Sequence, residues 1–150
     1  MSHRILSYLA CMLLVAWGSS AVAIDYYKTT GNLAVYFGVL PSELMGHSPE
    51  HPEKVTHGGV SAARRQHHIV VAVFDAKTGR RITDADVTAT VGEPGLIPTI
   101  KKLDPMSIAG TISYGNFFQM GSPYKYRFAI KIRPHGEQER AVDFEFPHPR

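Results

Sequence analysis

The chain has 150 residues, a formal net charge of +3 with histidine neutral, and one cysteine. That balance is too small for an electrostatic nucleic-acid footprint, and the pairs Arg64-Arg65, Arg80-Arg81 and Lys101-Lys102 read as solvated loop and edge-strand charge. A single cysteine excludes an intrachain disulfide, so the fold must rest on an ordinary apolar core, and the length suits one domain.

In chain order, the first element is a leader. Arg4 gives a positive start, residues 5–17 form an apolar run ending at Trp17, and Ala21-Val22-Ala23 supplies small residues, all before the first acidic residue, Asp25. This is the pattern of a secretory signal peptide over residues 1–23, cut after Ala23. The run is shorter than the ~18 apolar residues a spanning helix needs. The expected product is a soluble periplasmic domain over residues 24–150, without stable membrane insertion. Cys11 and Trp17 leave with the leader, and removal of Arg4 leaves fifteen basic against thirteen acidic residues.

The mature chain is punctuated for strands. Residues 32–40 are a strand candidate, and residues 41–45 could close one helical turn with Pro41 near its start. Residues 46–65 carry His47, His51, His57, Pro49, Pro52 and Gly58-Gly59 and read as a long loop. Their three histidines with Met45 suit either loose metal capture or an ordinary polar loop. Residues 68–74, with Val70, Val71 and Val73, read as a central strand buried on both faces.

Residues 84–91 alternate, with Ala85, Val87, Ala89 and Val91 on one side and Asp86, Thr88 and Thr90 on the other, as a half-buried strand does. Residues 96–103 and 108–114 are further strand candidates. Residues 124–132 place Tyr124, Tyr126, Phe128, Ile130 and Ile132 inward, residues 141–146 place Val142, Phe144 and Phe146 inward, and Pro134-His135-Gly136-Glu137 joins them as a hairpin. Short strands at this spacing predict an all-β, immunoglobulin-like antiparallel β-sandwich.

Catalytic signatures are missing: there is no mature cysteine, no Gly-x-Ser-x-Gly elbow, no His-Glu-x-x-His and no phosphate-cradling glycine loop. A binding role is expected rather than an enzyme. Residues 105–120 hold two thioethers, Met106 and Met120, and a Tyr114-Gly115-Asn116 turn, which directs attention to metal chemistry. Met120, close to Phe117 and Phe118, reads as core packing.

The run Phe74-Asp75-Ala76-Lys77-Thr78-Gly79, followed by Asp84-Ala85-Asp86-Val87, resembles exported β-sandwich modules of the YtkA-like or FixH-like kind, whose first hairpin has the same turn glycine and following strand. Leu103-Asp104-Pro105-Met106, Ser113-Tyr114-Gly115-Asn116 and Tyr124-Lys125-Tyr126 are more specifically similar to the periplasmic iron-uptake accessory family associated with high-affinity ferrous permeases. The resemblance covers residues 67–146. It implies a dimeric sandwich that binds copper and serves iron delivery, with a membrane metal permease or an envelope complex as partner.

By the same resemblance, Met106 matches the family's Pro-Met thioether, one of His67 and His68 matches its early-strand histidine, and His135 stands where a histidine reaches across the dimer. Ser113 replaces the family's histidine before Tyr-Gly, and Ile69 or Val70 replaces the acidic residue two positions after the early histidine. A site of His67 or His68 with Met106 is soft and favours copper over Fe(II) or Mn(II), although Met106 reads equally well as a gap-filler in the core. Adjacent residues on a strand point to opposite faces, so His67 and His68 cannot both hold one ion. Two readings follow: a periplasmic copper-binding accessory protein of metal uptake or homeostasis, and a metal-free sandwich acting as an interaction module of an envelope complex. The aromatic residues Tyr26, Tyr27, Tyr36, Phe37, Tyr114, Phe117 and Phe118 suggest a dimer or partner surface in either case.

Overall fold

The computed structural model describes residues 25–42, 65–121 and 124–148. The leader, most of the turn expected at 41–45, and the loop histidines His47, His51 and His57 lie outside them. Eight strands form: β1 Tyr27–Thr30, β2 Leu33–Pro41, β3 Gln66–Asp75, β4 Ala85–Gly92, β5 Thr99–Ile108, β6 Thr111–Gln119, β7 Lys125–Pro134 and β8 Arg140–Pro147. All neighbours are antiparallel, in the order β1-β2-β3-β6-β5-β4-β7-β8.

β5 folds this ladder into two layers. Its first half, to Leu103, pairs with β4, and its second half, from Asp104, pairs with β6. Between the layers lies the core that alternation requires: Leu33, Val35 and Phe37 of β2, Ile69, Val71 and Val73 of β3, Tyr114 and Phe118 of β6, Val87 and Ala89 of β4, Phe128, Ile130 and Ile132 of β7, and Phe144 of β8. Phe37 crosses the gap, stacking on Phe144 with centroids 4.8 Å apart and packing on Phe128 at the same distance. Edge strands β1 and β8 approach each other at the open side, where the Lys28 ammonium sits 5.5 Å from the Phe144 ring centre.

The strands expected at 68–74, 84–91 and 124–146 form, and the β7–β8 hairpin turns at Gly136 with φ of 74°. β3 is central in its layer, yet only its inner face is sealed along its length: on the outer face His68 is buried while Val70 and Ala72 are half-buried. Tyr124 is exposed rather than inward, because it precedes β7. The strand expected at 108–114 is broken by Ala109 and Gly110, both at positive φ, and this hairpin turn ends β5 and starts β6. Tyr114-Gly115-Asn116 is accordingly mid-strand in β6 rather than a turn, and Met106 stands on a strand.

β3 and β4 do not form the expected hairpin. The Asp75 carboxylate accepts hydrogen bonds from the backbone N–H of Lys77 and Thr78 and from the Thr78 hydroxyl, building a tight turn that completes with Gly79 at φ 68°. The chain then bridges back to β3 at Phe74 and Arg81 before crossing to the other layer. This detour delivers Arg81 to the outer face of the first sheet.

Candidate metal centre

Strand alternation puts His68, Val70 and Ala72 on the outer face of β3. Register carries that face onto Phe117, Gly115 and Ser113 of β6, and from Gly115 and Ser113 onto Asp104 and Met106 of β5. β6 is the middle strand of this triplet, and at Gly115 it has no side chain. His68 reaches over that position from one side and Met106 from the other. A Cβ built on Gly115 would lie 2.7 Å from His68 Cε1, 2.9 Å from His68 Nε2 and 2.8 Å from Met106 Sδ. Imidazole and thioether thus share a space that any other residue would fill. Glycine within a strand often marks such a close approach.

The His68 ring is 2% exposed and packs against Phe117 with centroids 4.6 Å apart. Its Nδ1 is buried and has no hydrogen-bond partner among the described residues. Burial disfavours the imidazolium and holds the His68 pKa below its ordinary 6.5. At neutral pH the ring is therefore uncharged and keeps a lone pair for a metal. Met106 is half-buried beside it.

Around this pair the donor set is altered. Ser113, opposite Met106 in the ladder, is 4% exposed, and its hydroxyl accepts a hydrogen bond of 2.6 Å from Arg81 Nη2, while Arg81 Nε donates to the Ile112 carbonyl at 2.7 Å. The guanidinium carbon rests 4.6 Å from the Phe74 ring centre. A fixed cation therefore stands where the resembled family has a ligand histidine. Because His68 is the histidine on this face, the position two residues on is Val70, not Ile69, and it brings no carboxylate. Asp104, exposed and directly opposite Gly115 on β5, has the acidic side chain nearest in register, and sequence reading passed over it. Its signal was its place two residues before Met106, on the same face of a strand.

The remaining sequence candidates fall elsewhere. His67 points to the inner face of β3, where its Nε2 lies 3.3 Å from Nε2 of His148; it does not join Met106. His148 was not singled out from the sequence. His135 is exposed in the β7–β8 hairpin, its N–H donating to the Asp84 carbonyl. Asn32 donates to Glu137 in the same hairpin, so His135 belongs to the sandwich end where β2 begins and β3 finishes, opposite to the end holding His68. Met120 is fully buried in the core, as expected. Among the described residues no group of three or more His, Cys, Asp and Glu side chains comes together, and no helix among them is long and apolar enough to cross a membrane.

No family model matches the chain, and no curated protein matches it at a significant level. Solved structures do. A DUF4426 family protein from Pseudomonas aeruginosa PAO1 matches with a TM-score of 0.59 at 19% identity, over 82% of this chain and 96% of that one. FetP from uropathogenic Escherichia coli strain F11 matches with a TM-score of 0.64 at 14% identity, over 84% and 94%. Copper-reconstituted P19 from Campylobacter jejuni matches with a TM-score of 0.59 at 14% identity, over 83% and 94%. These likenesses place the chain in the same all-β fold.

Proposed function

We propose that the protein is a periplasmic copper-binding accessory protein of metal uptake or homeostasis, not an enzyme. The observation that carries this reading is the convergence of His68 and Met106 over Gly115. A neutral imidazole and a thioether form a soft donor pair that suits copper, and no carboxylate-rich cage for a hard ion accompanies them among the described residues. The similar solved structures include copper-bound forms of both FetP and P19, and FetP was expressed in the periplasm. The leader expected at residues 1–23 supports the same compartment.

Arg81 bears on which oxidation state is held. Repulsion from a fixed cation scales with the charge of the ion it faces, so the guanidinium beside Ser113 disfavours Cu(II) more than Cu(I). The thioether of Met106 acts in the same direction. The chain's own residues thus present a two-donor Cu(I) site with one flank closed by Arg81 and the other bordered by Asp104.

The chain works as a homodimer on this reading. The face that carries His68 and Met106 continues over β3, β2 and β1 as Val70, Ala72, Phe74, Tyr36 and Tyr27, with Tyr27 and Tyr36 45% and 49% exposed. An apolar sheet face of this kind is suited to cover by a second copy, which would bring a His135 from outside the protomer, as the sequence resemblance implies. The alternative, a metal-free interaction module, draws on the same aromatic face. Anaerobic titration of the mature chain with Cu(I) in competition with a chromophoric chelator separates the two. Saturable binding of about one ion, weakened in Met106→Leu with the fold retained because the two side chains are close in volume, supports the copper reading. Wild type without saturable binding leaves the interaction module in its place, and Met106→Leu binding like wild type overturns the assignment of the ion to the pair over Gly115.

A further inference from the structure

The inner face of β3 holds a second convergence of ligand-type side chains, separate from the pair over Gly115. His67 is 7% exposed and sits in the ladder between Pro41 of β2 and Phe118 of β6. His148 follows β8 in the opposite layer, where its N–H donates to the Tyr124 carbonyl at 3.0 Å. The two rings come from segments 81 residues apart and meet edge to face, with centroids 4.8 Å apart and planes at 76°. Both turn Nε2 to the other, at 3.3 Å. The rings of Tyr126 and Phe146 enclose the His148 side at 6.1 and 6.4 Å.

The separation is informative. Two nitrogens bound to one tetrahedral ion at ~2.0–2.1 Å stand about 3.3 Å apart along the tetrahedral edge. The observed Nε2–Nε2 separation of 3.3 Å matches that edge, and an imidazole-to-imidazole hydrogen bond spans the same length. We propose that His67 and His148 form a bis-imidazole site for a borderline divalent ion of the Zn2+ class, distinct from the Cu(I) pair and bridging the two layers where β3 begins and β8 ends. Imidazole nitrogen suits Zn2+ and its neighbours in the first transition row, whereas Mg2+ and Ca2+ require oxygen ligands. The ion keeps open positions for water or an exogenous ligand, as an ion held by fewer than four protein ligands does. Binding links the layers only in the folded state, so it raises the unfolding temperature by linkage.

The experiment uses the full mature chain with Zn2+, and with Co2+ as a spectroscopic stand-in. Wild type should show a Zn2+-dependent rise in unfolding temperature and visible Co2+ bands of four-coordinate intensity. His148→Gln and His67→Gln should each lose both, by at least tenfold in apparent affinity, and Met106→Leu should keep both while losing Cu(I). This crossed pattern separates the proposal from the copper reading, because either site can fail alone. Nitrogen-15 NMR of histidine-labelled wild type needs no variant to fold: Zn2+ should move the Nε2 signals of His67 and His148 together. The proposal is overturned if those signals stay still through saturation, if wild type gives no Co2+ bands, or if both glutamine variants respond to Zn2+ as wild type does.

Discussion

Replacing Gly115 by alanine adds one methyl group at the point where His68 and Met106 meet. The new Cβ would stand 2.7 Å from His68 Cε1 and 2.8 Å from Met106 Sδ, whereas unstrained carbon contacts lie at ~3.5–4.0 Å. Ring and thioether must each retreat by roughly 1 Å, about five times the ~0.2 Å tolerance of a metal–ligand distance. Cu(I) affinity should therefore fall by ~100-fold or more, exceeding the 10- to 100-fold cost of disturbing a residue that merely supports a ligand. The fold should survive: overpacking costs ~1–3 kcal/mol, and the gain of alanine over glycine within a strand offsets ~0.5–1 kcal/mol of it.

Gly38 supplies the control. It lies on the same outer face, and a Cβ there would meet only the Val70 carbonyl oxygen, at 4.0 Å, so Gly38→Ala should bind copper as wild type does. Competition titration with a chromophoric Cu(I) chelator, alongside thermal unfolding, measures both quantities. Wild-type Cu(I) affinity in Gly115→Ala would show that the ion is not held over Gly115, whatever else binds it.

Two further outcomes follow from the core and from the buried imidazole. Phe128, fully buried against Phe37, should cost ~3–5 kcal/mol on truncation to alanine; a loss below ~1 kcal/mol in urea unfolding would contradict its place between the two layers. Burial holds His68 below its ordinary 6.5, so just below that pH the unfolded chain binds more protons than the folded one. The metal-free protein should lose stability as pH falls from 6.5 toward the depressed value, by up to ~1.4 kcal/mol per pH unit, and gain nothing from this group above 6.5. His68→Gln should remove that component, and an unchanged difference between pH 5 and pH 7 in urea midpoints would refute the burial of a neutral ring.

What was legible from sequence was whatever the chain determines locally. Alternation over residues 84–91 and 124–146 marks inward and outward faces because a strand's period of two is a property of its own backbone. The β7–β8 turn is written in Pro134-His135-Gly136-Glu137, and Gly136 takes the positive φ it alone adopts cheaply. Donor chemistry was local as well: His67, His68 and Met106 could be singled out by type, and their adjacency required that only one histidine share a face with Met106.

Which histidine, and what fills the rest of the site, belonged to register and layer order, which are set between strands rather than within them. β6 inserts between β3 and β5, and only then does Gly115 open the gap that His68 and Met106 share. A crossover link, not a hairpin, carries Arg81 to Ser113. The hairpin turn at Ala109-Gly110 broke the strand expected at 108–114, and the continuation of β5 into the second layer placed Met106 on a strand. The meeting of His67 with His148 depends on two layers closing over the core. A single chain read in order shows the period of each strand, but a pairing partner is chosen by the burial of all the strands together, and every cross-strand neighbour in the site was decided there.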